Sequence, residues 1–420
     1  MLSTLYFFLM VKFNRFTLDN GLRVIVHEDH TTPMAVLNIL YDVGARDEDP
    51  DKTGFAHLFE HLMFGGSVNI PVYDEPLQRV GGENNAFTTN DITNYYITLP
   101  AANIETAFWL ESDRMLSLAF GKKSLEVQRN VVIEEFKQRY LNQPYGDVWL
   151  KLRPLVYKKH PYQWATIGKE IKHIEDAQME DVKAFFSKHY NPQNAIMVVG
   201  GDVTTEQVKQ LTEKWFGSIP AGEKYHRDLP KEPEQKEERR LTVAGKVPLN
   251  DVYIAFHMPG RLDEGYYETD LISDILSRGN SSRLYKTLVK DKQLFSEIHA
   301  YNMGSFDSGM FVVEGKPLEN VSIEAAEAAI WEELEIIKNQ LVPADELTKV
   351  KNKAESTMVF SEMSLLDKAM NLAQFELFGD ADKLNHETDK YLAVTAEQIQ
   401  KQAKEIFRKE NSSTLIYLAA

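Results

Sequence analysis

The sequence predicts an α+β protein of two similar domains, and three features carry that expectation. Its 420 residues exceed one ordinary domain. The stretch Asp228-Leu-Pro-Lys-Glu-Pro-Glu-Gln-Lys-Glu-Glu-Arg-Arg240 is charged, Pro-containing and almost free of apolar residues, which reads as a linker. The two halves it separates, residues 1–227 and 241–420, also end alike. Glu180 to Val199 runs as helix, Asn191-Pro-Gln-Asn, then strand; Ala396 to Leu418 runs as helix, Asn411-Ser-Ser, then strand.

The elements follow in order. Phe16 to Val26 reads as a strand, an Asn20-Gly21 turn and a second strand, a strong hairpin signal. Ala35 to Val43 is strand-like, and Gly44 to Thr53 reads as a polar loop. Gly54 to Phe64 is an apolar helix stopped by Gly65-Gly66. Gly81-Gly82 breaks the chain before Asn85-Ala-Phe-Thr, and Asn94 to Leu99 is again strand-like. Ala102 to Ser117, Lys123 to Leu141 and Met179 to His189 are helical patterns, and Ala195 to Val199 is a strand. Beyond the linker the pattern restarts, with strand-like Asp251 to His257 and helical Tyr266 to Leu276.

Composition excludes several classes. With 43% hydrophobic and 26% charged residues the chain is an ordinary globular protein, and it holds no apolar run long enough to span a membrane. Leu2 to Met10 is apolar but short, with no basic residues before it and no small-residue cleavage site after it. It is a poor signal peptide, so the expected compartment is the cytoplasm, with the periplasm as the alternative. Met10 is a candidate true start. A net charge of −16 argues against nucleic acid and fits either a solvated surface or attraction of basic peptides. The absence of cysteine excludes disulfides, thiolate zinc sites and cysteine nucleophiles, so any metal must be held by His and carboxylate.

The chemistry concentrates in the apolar helix, which carries His57-Leu58-Phe59-Glu60-His61. Residues four apart share one helix face, so both imidazoles can reach one metal ion. Glu60 lies close enough to that face to act on a water at the same ion. Two nitrogen ligands with an adjacent carboxylate suit zinc hydrolysis, and the inverted His-x-x-Glu-His order is itself a zinc-peptidase signature. A core helix with two hydrogen-bonded histidines is the plainer reading.

Gly54-Phe-Ala-His-Leu-Phe-Glu-His-Leu-Met-Phe64 followed by Gly-Gly-Ser resembles the zinc helix of the pitrilysin family of metallopeptidases, peptidase family M16. That family includes insulin-degrading enzyme and the mitochondrial processing peptidases. Leu18 to Val24, Asn85-Ala-Phe-Thr ahead of Asn94-Tyr-Tyr, Leu110 to Met115 and His189 to Ala195 agree in order and spacing, so the resemblance covers nearly the whole chain. It is similar to the short bacterial type. The resemblance implies two domains, each a mainly antiparallel sheet packed with helices, together forming half of a pitrilysin-type clam. It assigns residues 1–227 to a zinc-binding peptidase domain, 228–240 to the linker and 241–420 to a second pitrilysin-like domain. It further implies one Zn2+ per chain held by His57, His61 and a Glu on a later helix. Aligning Arg129-Asn130 puts that ligand at Glu135; Glu134 would point about a hundred degrees away. Glu60 would be the general base. Asn85, Ala86 and Phe87 match the family's edge strand, which holds peptide as an added strand; for Asn85 a turn-capping role is the alternative.

Two departures stand out. The family's supporting Glu, seven residues before the ligand Glu, is Gln128 here, which can hydrogen-bond but adds no charge. The family's substrate-contacting Arg and Tyr fall at Val289 and Ser296, neither of which can replace them. The expectation is a zinc-bearing endopeptidase subunit for short or unfolded peptides that pairs with a second pitrilysin-like subunit supplying Arg and Tyr. A self-sufficient homodimer and a non-catalytic scaffold of the same fold are the alternatives. A carboxylate-bridged di-metal oxidoreductase is disfavoured because it needs repeated Glu-x-x-His on bundle helices. Arg283, in Ser281-Ser-Arg-Leu-Tyr285, reads as structural.

Overall fold

The computed structural model describes residues 10–420, so the segment before Met10 lies outside the described residues. In chain order the strands are β1 (Asn14–Thr17), β2 (Arg23–Glu28), β3 (Met34–Tyr41), β4 (Glu83–Thr88), β5 (Thr93–Pro100) and β6 (Ala195–Gly201), then β7 (Arg239–Gly245), β8 (Asp251–Met258), β9 (Phe295–Met303), β10 (Gly309–Pro317) and β11 (Ser412–Ala419). The helices that position the site or cover the sheets are α1 (Phe55–Leu62), α2 (Ile104–Ser117), α3 (Lys122–Phe136), α4 (Val148–Val156), α5 (Met179–His189), α6 (Tyr266–Ser277), α7 (Leu365–Leu377) and α8 (Ala396–Ile406). Among the described residues no helix is long and apolar enough to cross a membrane.

The chain divides into two compact α+β units. The first comprises the chain through Phe136, Trp164–Leu229 and Met358–His386; the second comprises Lys137–Gln163, Pro230–Thr357 and Glu387–Ala420. In the first, six strands run in the order β1-β2-β6-β3-β5-β4. Only β2 and β6 are parallel; every other neighbouring pair is antiparallel. In the second, five strands run β7-β11-β8-β10-β9, with β7 and β11 parallel and the rest antiparallel. Apart from β1, the two sheets are one topology used twice.

The repeat is also visible in single residues. Asn194, after α5, donates through Nδ2 to the His189 and Asp42 carbonyls at 2.9 and 3.2 Å. Asn411, after α8, donates to the Ile406 and His257 carbonyls at 2.9 and 3.0 Å. In each unit a buried amide thus ties off the last carbonyls of a helix and joins the next strand to its neighbour, meeting the need of buried backbone groups for partners. The equivalent of Asn411 is Asn194, the last residue of Asn191-Pro-Gln-Asn.

Three local expectations change. The Asn20-Gly21 turn is wider than a two-residue hairpin: β1 and β2 are joined through Leu18 to Leu22, both ends buried, with Gly21 at φ +90°. The polar segment Gly44 to Thr53 is largely interior, with Arg46, Asp47, Glu48 and Thr53 all buried. The segment 228–240 contains the unit boundary at Leu229–Pro230, yet it is tied down. Glu232 accepts the backbone N–H groups of Lys158, Lys159 and His160, and buried Gln235 donates to the Ser412 carbonyl at 2.7 Å.

Neither unit is continuous in sequence. Helix α4 belongs to the second unit, where Val148, Leu152 and Val156 pack on Tyr253, Ala255, Val312 and Leu415 of its sheet. Helix α7 belongs to the first, where it packs on β3 and β6. An apolar helix stripe specifies that a sheet face must cover it, and not which sheet.

Candidate metal centre

Helix α1 starts at Gly54, whose φ of +88° is open to glycine without strain. Its first free N–H groups are capped from a distance. The buried Glu48 carboxylate accepts from Gly54 N at 2.9 Å and Ala56 N at 2.8 Å, and also from Trp164 Nε1 at 3.0 Å. Burial pushes the Glu48 carboxyl up to about 8, against these donors, which favour the anion. Phe55, Ala56, Leu58, Phe59 and Leu62 face the interior. Phe59 stacks on Phe185 and Tyr190 at ring separations of 5.0 and 5.1 Å. With that side locked, His57, Glu60 and His61 share the partly exposed side.

Behind them lies a buried ion pair. Arg114 Nε donates to Glu111 Oε2 at 2.8 Å, and the Tyr73 hydroxyl donates to Glu111 Oε1 at 2.8 Å. The guanidinium lies 4.5 Å from the Tyr95 ring centre and 4.7 Å from that of Tyr73. Paired, hydrogen-bonded and flanked by ring faces, this charge is tolerable in the interior.

On α3, Glu135 turns to the two imidazoles while Glu134 faces solvent. His57 Nε2 and His61 Nε2 lie 3.3 Å apart, and Glu135 Oε2 is 3.5 and 3.4 Å from them. These are the residues whose ligand atoms gather within 4.8 Å of one another. The spacing fits a tetrahedral ion: with ligands about 2.0–2.1 Å from zinc, neighbouring donors lie about 3.3 Å apart. Two imidazoles and one carboxylate are also the donor set of a catalytic zinc site with a position left open.

The other expected residues fall as follows. Asn85, Ala86 and Phe87 lie on β4, an edge strand paired only with β5 among the described strands, and β4 packs beside α1. Glu60 Oε2 accepts a hydrogen bond from Thr88 Oγ1, at the end of β4, at 2.5 Å. Gln128 is half-buried on α3, two turns from Glu135, and makes no side-chain hydrogen bond among the described residues. The sequence shows Glu48 only as part of a polar loop and Thr88 only as part of the edge-strand segment Asn85-Ala-Phe-Thr, and neither is tied there to the helix it contacts.

The second unit repeats the frame without the donors. Helix α6 also starts at a glycine with φ +88°, Gly265. Counting from it as from Gly54, the places of His57, Glu60 and His61 hold Glu268, Leu271 and Ile272, and the last two are buried. Val289 lies in the π-helical segment Tyr285–Asp291, and Ser296 lies on β9 with its hydroxyl donating to the Lys316 carbonyl at 3.1 Å. Arg283 pairs with Glu346 at 2.6 Å.

Residues 23–159 match the family described as Insulinase (Peptidase family M16), and residues 176–354 match the Peptidase M16 inactive domain. Over 410 residues, 96% of this chain and 91% of the other, the sequence is 32% identical to the zinc protease PqqE of Helicobacter pylori. The chain belongs to peptidase family M16. The uncharacterized zinc protease YmxG of Bacillus subtilis is 26% identical, covering 96% of this chain and 97% of that one. The crystal structure of a protease from Helicobacter pylori superposes with a TM-score of 0.90 at 31% identity, over 97% of this chain and all of that one. The periplasmic protease PqqL of Escherichia coli has the same fold, with a TM-score of 0.80 at 18% identity, over 97% of this chain and 48% of that one. This M16 chain is thus of the short bacterial type, and the part matching the inactive domain contains α6, which has no His-x-x-Glu-His pattern.

Proposed function

We propose that this chain is the zinc-bearing subunit of an M16 endopeptidase that cleaves short or unfolded peptides held as an added strand along β4. One observation carries the reading: three donors of a catalytic zinc set, two from α1 and one from α3, converge at 3.3–3.5 Å beside the Glu60 carboxylate of α1 and an open sheet edge. The names of the Helicobacter and Bacillus relatives, both zinc proteases, agree with it.

His57, His61 and Glu135 would hold the ion. When bound, zinc supplies a Lewis acid that polarises a carbonyl and makes water a stronger acid. The Glu60 carboxylate takes the proton of the attacking water and delivers it to the departing amine nitrogen. Strand β4 aligns the peptide through its backbone, Asn85, Ala86 and Phe87 included, so side chains matter little and sequence tolerance is broad.

The partner follows from what the chain lacks. With Val289 and Ser296 at the places where the family resemblance implies Arg and Tyr, a second M16-like subunit would supply those groups. The PqqL chain, of which this fold covers 48%, has room for two such halves in one polypeptide. A homodimer is the second reading; the intact His-x-x-Glu-His motif disfavours a scaffold role.

The test is cleavage of a mixed pool of unstructured peptides by the zinc-loaded chain alone, with Glu60→Gln as blank. Cleavage lost in the blank supports the peptidase and removes the need for a partner. No cleavage by a chain binding one zinc supports the half-site. A chain that binds no zinc overturns the reading.

A further inference from the structure

Strand β4 and the base Glu60 meet at one residue. Thr88 closes β4, paired with Thr93 at the start of β5, and its Oγ1 donates to Glu60 Oε2 at 2.5 Å in a half-buried position. A hydroxyl bonded to a carboxylate is a charge-assisted contact, short and strong, and a β-branched threonine gives it from a stiff χ1. The backbone behind Thr88 is held just as firmly. Thr93 Oγ1 donates to the Val43 carbonyl at 2.9 Å. In the turn after β4, Thr89 Oγ1 accepts from Asp91 N at 3.1 Å and Ile92 N at 3.0 Å. The same turn accepts Ala45 N and Arg46 N on its Thr89 and Asn90 carbonyls at 3.1 and 2.9 Å. That segment leads to Glu48, which caps α1. Glu60 is therefore oriented from two directions, through its own helix and through the last residue of the strand that would carry the peptide.

We propose that Thr88 is the positioning residue of Glu60, and that it ties the peptide-binding edge to the proton-transferring carboxylate. Peptide added along β4 in register sets the strand whose final side chain holds the base; peptide that distorts the end of β4 misaligns the base without leaving the site. This rests on Glu60 being the general base.

Thr88→Val keeps the shape and removes the donor; Thr88→Ser keeps the donor. In whichever preparation turns over, chain alone or chain with its partner, Thr88→Val is expected to lower kcat roughly 10–100-fold, the scale of a misplaced catalytic group. KM stays within about twofold and zinc stays at one per chain, while Thr88→Ser recovers kcat to within about threefold. Unchanged kcat in Thr88→Val, a loss that tracks zinc content or KM, or a Thr88→Ser variant as impaired as Thr88→Val overturns the proposal. A crystal structure of Thr88→Val decides the point without turnover: Glu60 should leave its wild-type rotamer, and an unmoved Glu60 refutes the role. Failure of the wild type to cleave any peptide both alone and with its partner would instead count against the peptidase reading, leaving the crystallographic comparison to judge Thr88.

Discussion

Replacing Glu135 by Gln removes the only anionic donor of the three that converge, while keeping its size and its place on α3. Glu134→Gln removes an equal charge one residue earlier, from the exposed side of the same helix, and so controls for net charge and helix propensity. The magnitude follows from linkage. A ligand that binds only the folded chain stabilises it by about 4 kcal/mol when its free concentration is a thousandfold above Kd. The three converging donors all lie in the first compact unit, and for a unit of roughly 150–250 residues each kcal/mol moves Tm by about 2–4 °C. Zinc at that excess should therefore raise the Tm of the wild-type unit by about 8–16 °C. With two donors left, Glu135→Gln cannot complete the three-ligand set, and its shift at the same free zinc should fall to about 2 °C or less. Glu134→Gln should keep the whole shift. Differential scanning calorimetry with and without zinc, together with zinc per chain by elemental analysis, reads both. A Glu135→Gln chain that keeps the shift, or a Glu134→Gln chain that loses it, would refute the ligand assignment.

Glu48→Ala strands two buried N–H donors, those of Gly54 and Ala56, while Trp164 Nε1 keeps the Ala45 carbonyl at 2.9 Å, and should cost about 2 kcal/mol in urea unfolding; a loss under about 1 kcal/mol would mean that water replaces the cap. His189 provides an acid limit on stability. Burial between the Phe185 and Tyr225 rings lowers its pKa to about 3, with Lys188 and Arg227 adding to the effect and Asp42 opposing it, and neither ring nitrogen has a hydrogen-bond partner among the described residues. Because the folded pKa is depressed, the unfolded state binds the extra proton first. Its contribution is whole above the unfolded value of about 6.5 and is lost toward pH 3 by up to about 1.4 kcal/mol per pH unit. His189→Leu should flatten the urea-unfolding free energy against pH by one proton in that window; an unchanged slope would show that other groups govern it.

The parts of this fold legible in the sequence were those specified by neighbours in the chain. Helix α1 announced itself by the three- and four-residue spacing of its apolar side and by the glycines at both ends, and α5 by a period that stops at His189. The course of the chain between the two sheets was not legible. Helices α4 and α7 each have an ordinary apolar stripe, and the sheet that covers each is chosen by the end of a long connection. The segment 228–240 misled for a related reason. Charge and proline predicted a solvated tether, but Glu232 and Gln235 spend their polar atoms on backbone groups of the second unit, which removes the cost of ordering them near the interior.

The same division separates the residues of the candidate site. His57, Glu60 and His61 lie within one and a half turns, so their common face could be read directly. Glu135 sits on another helix, and helical spacing alone could only say that it and Glu134 face different ways; choosing between them required the resemblance to a family. Glu48 and Thr88 carry no local signal at all. Their partners are Gly54, Ala56, Trp164 and Glu60, and in sequence the first is a charge in a polar loop and the second a threonine in a strand. Yet these two hold the motif helix at its N-terminus and its carboxylate at the far end. Repetition makes the point from the other side. Gly265 starts α6 as Gly54 starts α1, on a sheet of the same topology, but Leu271 and Ile272 are packed away where Glu60 and His61 reach partial exposure. Writing the metal motif onto α6 would bury a carboxylate and an imidazole with none of these supports, and it would destabilise the second unit before it made a site. What distinguishes the candidate metal centre is therefore the motif together with distant groups that cap its helix and hydrogen-bond its carboxylate.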